Sequence, residues 1–123
     1  MPDNNMQVMH IDGNKLAVEV VDTPESRYMG LSNREYMPQN EGMLFVFDNL
    51  VQPGFVMRDM KFNLDIIWIR DNVVIGCVRD LAAPQKGQNA VAIEAEEDIN
   101  YVVEVNAGWC ARNDISKGDR VDF

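Results

Sequence analysis

At 123 residues the chain sits near the commonest domain size, so a single domain spanning residues 1–123 around one core is expected. An apolar fraction of 46% with 25% charged residues excludes the disordered and fibrous classes, and no apolar run approaches the roughly 20 residues that a membrane-spanning helix needs. The net charge of −9, from 11 Lys and Arg against 20 Asp and Glu, argues against nucleic acid and anionic lipid as partners.

The first residues, Met1-Pro2-Asp3-Asn4-Asn5, lack the basic and apolar regions of a signal peptide, so none is expected in this chain. Two runs of alternating character, Gln7–Ile11 and Leu16–Val21, flank Asp12-Gly13-Asn14, and Asp-Gly between such runs predicts a hairpin because both residues tolerate positive φ. Thr23-Pro24-Glu25 reads as a helix start, with Thr23 capping, Pro24 in the first turn and Glu25 complementing the helix dipole. Gly30 ends that helix after about two turns, and Leu31–Asn40 follows as a loop. Glu41–Asp48, Phe55–Asp59 and Leu64–Arg70 are short runs rich in β-branched and aromatic residues with Pro53-Gly54 turn chemistry among them, and they predict the central strands. Period two places Phe45 with Phe47, and Ile67 with Ile69, in the core.

Asp71-Asn72 predicts a second hairpin leading into Val73–Val78, and Leu81–Asn89 reads as the longest loop. Ala90–Ile93 suits an edge strand, Ile99–Val105 a further strand, and Asn106 or Gly108 the start of a short helix through Arg112. Val121–Phe123 closes the chain as a last strand. Frequent turns, many short strands and two short helices define a mostly β fold, a single antiparallel β barrel or sandwich.

Charges set within this core are the first site candidates. Arg58 and Asp65 flank the turn between neighbouring strands, where they either pair to fix strand register or form a ligand-binding Arg held by its carboxylate, with Trp68 or Phe55 as an aromatic neighbour. Glu104, between Val103 and Val105, points away from both and faces solvent or a polar cleft, solvent being the simpler reading. Asn106-Ala107-Gly108 most simply caps a helix, although its backbone N–H groups also suit an anion. Arg27 and Arg34 are either surface residues or partners of carboxylates. Asp65 with Glu104 is the candidate acid and base pair of a hydrolase. Cys110 with His10 lacks the Gly-rich elbow of a nucleophilic enzyme.

Cys77 and Cys110 lie in apolar settings that suit buried thiols not bonded to each other. Neither CxxC spacing nor a Cys and His grouping is present, and no metal site or cofactor is expected. Met57 and Met60 are two of eight methionines, and their odd spacing in a strand favours packing over a shared Cu(I) site.

Five segments together carry a resemblance: Arg27–Leu31, Glu41–Phe47, Phe55–Arg58, Leu64–Ile69 and Val103–Gly108. In this order, across nearly the whole chain, they resemble the motifs of domain of unknown function family 192. The resemblance implies a compact, mostly β domain of bacteria and archaea, often preceded by a signal peptide and so periplasmic or secreted, with no established activity. Members commonly show a Trp-Met-Lys-Asn-Thr type run where this chain has Val56-Met57-Arg58-Asp59-Met60, and Pro where it has Asn63. Arg58 keeps the charge, while Asp59 and Met60 remove the amide and hydroxyl donors.

The function expected from these residues is non-catalytic binding of a polar or anionic small ligand, such as a saccharide, or of a peptide, near Arg58 and Asp65. Trp68, Glu104 and Asn106 complete the expected site. The competing readings are a hydrolase using Asp65 and Glu104 and a structural accessory domain. A hydrolase requires both carboxylates in one pocket, whereas a binding module requires a concave patch with aromatic and polar groups.

Overall fold

Turn and cap chemistry sets the ends of the first elements. In the computed structural model of the chain, which describes residues 5–57, 59–84 and 91–123, β1 (Met6–Ile11) and β2 (Asn14–Val21) form the expected hairpin. Its turn holds Asp12 and Gly13 at φ 52° and 79°. Helix α1 (Pro24–Met29) opens with a capping box in which Thr23 Oγ1 accepts the Ser26 N–H at 3.0 Å and Ser26 Oγ accepts the Thr23 N–H at 3.1 Å. Gly30 ends it at φ 48°.

The remaining elements are β3 (Glu41–Val51), β4 (Gly54–Met57), β5 (Leu64–Arg70), β6 (Val73–Leu81), β7 (Val91–Glu94), β8 (Ile99–Asn106), α2 (Trp109–Arg112) and β9 (Val121–Asp122). Seven strands make one sheet in the order β6-β5-β8-β3-β2-β1-β9, while β4 and β7 pair separately. One pairing departs from the antiparallel expectation: β2 and β3 run parallel, with Val18 opposite Gly42 and Val20 opposite Leu44. The intervening segment, α1 and its following loop, supplies the crossover that a parallel pair requires. The sheet curls until its edges meet at one end. There the Val74 N–H donates to Asp119 O at 2.9 Å, Gly118 N–H to Val74 O at 2.8 Å, and Val121 N–H to Asn72 O at 2.8 Å.

Curling gives the sheet two buried faces. The inner face packs Leu16, Val18, Leu44, Ile67, Ile69, Val103 and Val105 around Trp109 and Cys110 of α2. The outer face carries Met43, Phe45, Leu64, Ile66, Trp68 and Val102, covered by Leu31, Met37, Ala95 and the β4 and β7 ribbon. Period-two alternation along β5 therefore leaves no solvent face, and Leu64 to Ile69 are all buried. Phe45, Ile67 and Ile69 are buried as expected and Phe47 is partly so, but the Phe pair and the Ile pair belong to opposite faces. Phe55 of β4 locks the outer layer, meeting Phe45 and Trp68 edge-on at centroid distances of 5.1 Å and 5.7 Å. Such contacts contribute roughly 0.5–1.5 kcal/mol each beyond the area they bury. Among the described residues, no helix is long and apolar enough to cross a membrane.

Candidate functional site

Between α1, the segment after it, β3 and β4, the outer layer leaves a cavity of about 220 Å³. Phe45, Phe47 and Phe55 supply apolar wall, Arg27, Tyr28 and Ser32 polar wall, and Glu104 of β8 also lines it. β8 lies between β3 and β5, and its register sets Glu104 opposite Met43 on one side and Ile66 on the other. All three therefore belong to the outer face, and covering that face buries Glu104 to 6% exposure. The reading of Glu104 as solvent-facing is corrected here: alternation correctly turned it away from Val103 and Val105, but the face it turned to is itself roofed.

Close approach of β3 to the β8 backbone at Glu104 depends on Gly42. A Cβ there would stand 2.6 Å from the Glu104 carbonyl oxygen and 3.1 Å from Val105 Cγ1. Across the cavity, α1 has no buried residue and is held by Arg27. Arg27 Nη1 donates to Asp22 O at 3.0 Å and Val46 O at 2.9 Å, and the guanidinium sits 4.8 Å from the Phe47 ring centroid. Arg27 thus ties the helix wall to β3.

Burial pushes the Glu104 carboxyl up to about 8, because the charged form loses its hydration in this setting. At neutral pH Glu104 therefore carries its proton. A neutral carboxyl offers one donor and acceptor capacity to a ligand, and beside three aromatic rings it makes a small site with a polar pole and an apolar wall.

The family model for domain of unknown function family 192, described as an uncharacterized ACR, matches residues 7–123. The chain belongs to this family. Its fold is similar to that of a Sinorhizobium meliloti 1021 protein provisionally described as a transcription regulator, at 26% identity and a TM-score of 0.89, covering 99% of this chain and 96% of that one. It is also similar to a protein of unknown function from Novosphingobium aromaticivorans DSM 12444, at 24% identity and a TM-score of 0.86, covering 96% and 85%. No curated protein matches the chain.

Within this family fold the four expected site residues that are described do not share one site. Arg58 lies outside the described residues. Asp65 is fully buried on the inner face, where Oδ1 accepts the Asp80 N–H at 2.8 Å and Oδ2 accepts those of Gly108 and Cys110 at 3.1 Å and 3.0 Å. It thereby caps α2, whose own N-cap residue, Gly108, makes no side-chain cap bond. Asn106, expected near that cap, instead donates Nδ2 to Met37 O at 2.7 Å. Trp68 is 5% exposed within the outer core. Of the four described, Glu104 lines the cavity.

The hydrolase arrangement fails on register. Asp65 is opposite Val105 and Glu104 is opposite Ile66, so the two carboxyls leave the sheet on opposite faces and share no pocket. His10 is exposed on β1 between buried Met9 and Ile11, while Cys110 is buried inside, which separates that pair as well. Arg34 reaches a carboxylate, Glu19, at 2.9 Å. The aromatic wall was visible in the sequence only as core, since nothing local marks a Phe that lines a void.

Proposed function

We propose that the domain binds, without chemical conversion, a small neutral polar ligand with an apolar face, and that a single saccharide ring is the best-fitting class. The observation that carries this reading is the buried, protonated carboxyl of Glu104 in a cavity walled by Phe45, Phe47 and Phe55. Rings bearing hydroxyls place hydrogen-bonding edges against the carboxyl and their C–H faces against the aromatics. The volume, about 220 Å³, lies below the roughly 300–1,000 Å³ of pockets for drug-sized ligands, which favours a single ring. A full charge on the ligand would have to be desolvated against three aromatic rings, which favours a neutral polar ligand over an anionic one. The provisional regulator description of the Sinorhizobium meliloti protein is not carried over, because a chain of charge −9 repels a phosphate backbone.

The test is saturation-transfer NMR with glucose, galactose, mannose and N-acetylglucosamine on the wild type, Phe55→Ala and Glu104→Leu. At least one sugar should receive saturation from the wild type and lose it in both variants. No transfer from any sugar, or transfer that survives both substitutions, would remove the proposal.

A further inference from the structure

On the inner face, away from the Glu104 cavity, three chemically active side chains from three elements converge: Asp65 of β5, Cys77 of β6 and Cys110 of α2, with ligand atoms all within 4.8 Å of one another. The two sulfurs are not joined in the structure. What the sequence did not show is their contact, with Cys77 Sγ 2.6 Å from Cys110 Sγ although 33 positions separate them. A disulfide needs only about 0.5 Å of further approach, its bond being about 2.05 Å.

We infer that Cys77 and Cys110 are a modification site, a dithiol that closes to an intramolecular disulfide by exchange with a low-molecular-weight disulfide. Asp65 positions the pair. Its Oδ1 holds the Asp80 N–H of β6 and its Oδ2 the Cys110 N–H of α2, so the two elements that carry the sulfurs are pinned to one carboxylate. A metal is the poorer occupant for the same cluster. The Asp65 oxygens are already engaged by three N–H groups, and two sulfurs on one tetrahedral zinc stand about 3.7 Å apart.

The order of steps follows from access. Cys77 is half-buried and Cys110 buried, so the Cys77 sulfur is the more accessible of the two. The Cys110 thiol is pushed up by its hydrogen bond with Cys77, by burial and by the charge of Asp65. Cys77, the more accessible sulfur, gives its proton to solvent and attacks the reagent disulfide; a Cys77–reagent bond forms, the reagent S–S bond breaks, and the released thiolate is protonated. Cys110 then gives up its proton and attacks Cys77 Sγ, expelling the second reagent thiol. The pair loses two electrons and two protons, and the reagent disulfide is reduced to two thiols. The product ties α2 to β6 and closes the loop between positions 77 and 110.

The experiment exposes the folded full chain to glutathione mixtures of increasing oxidised share, quenches with acid, and reads intact mass, thiol count after unfolding, and Tm. The expected result is a mass lower by two hydrogens, a fall from two thiols to none, and a Tm higher on the order of 10 °C, all reversed by dithiothreitol. Cys110→Ser should stop at a Cys77–glutathione adduct; should that variant not fold, the wild-type thiol count and mass decide alone. Two thiols persisting in oxidised glutathione, or accumulation of a glutathione adduct on the wild type without closure, would overturn the inference.

Discussion

Glu104→Gln separates the cost of a buried acid from the packing of the side chain that bears it. The folded protein holds this carboxyl at about 8 against 4.5 for the free side chain. Because the folded-state value is raised, the stability associated with the group is fully present below 4.5 and is lost as pH rises toward 8. About two and a half pH units lie between 4.5 and neutrality, and at about 1.4 kcal/mol each they amount to roughly 3 kcal/mol at pH 7; above 8 the loss levels off near roughly 5 kcal/mol. Gln has nothing to ionise, so its stability advantage over wild type should grow by these amounts along the same pH axis. Urea unfolding of both proteins at pH 4.5, 6, 7 and 9 measures that difference, and NMR of the Glu104 carboxyl carbon reads the titration directly. A difference that stays flat with pH, or a carboxyl midpoint near 4.5, would refute the placement of Glu104 in a desolvated site.

Asp65→Asn keeps the shape of the side chain but turns an acceptor toward N–H groups into a donor, so one of the three backbone bonds is lost and faces a like group. A loss of roughly 2–4 kcal/mol is expected by urea unfolding, with a change under about 1 kcal/mol counting against the cap. Gly42→Ala forces a Cβ to within 2.6 Å of the Glu104 carbonyl oxygen, where backbone must move. It should cost about 1–3 kcal/mol and raise amide exchange at Val105, which pairs with Gly42; unchanged exchange there would sink the close-approach argument.

Local chemistry was legible along the sequence. Asp12-Gly13 and Asp71 take positive φ in the two hairpins, where Asp and Gly pay little steric strain, and the Thr23-Pro24 start and Gly30 stop bound α1 as expected. The apolar runs around Phe45 and Ile67 became central strands because their composition suits a pleated sheet buried on both faces. What the sequence could not decide was which residues from distant strands share a face. Reversing the parity of one strand relative to its neighbour would put Asp65 and Glu104 together; the observed register sends Asp65 to the α2 cap and Glu104 to the aromatic cavity. The contact of Cys77 with Cys110 is of the same kind, fixed by how far the sheet curls and where α2 enters it. Turns and caps are settled within a few residues of chain, whereas faces, cavities and sulfur contacts follow from pairings 30 to 70 positions apart, such as Asn106 with Met37, which only the closed sheet selects.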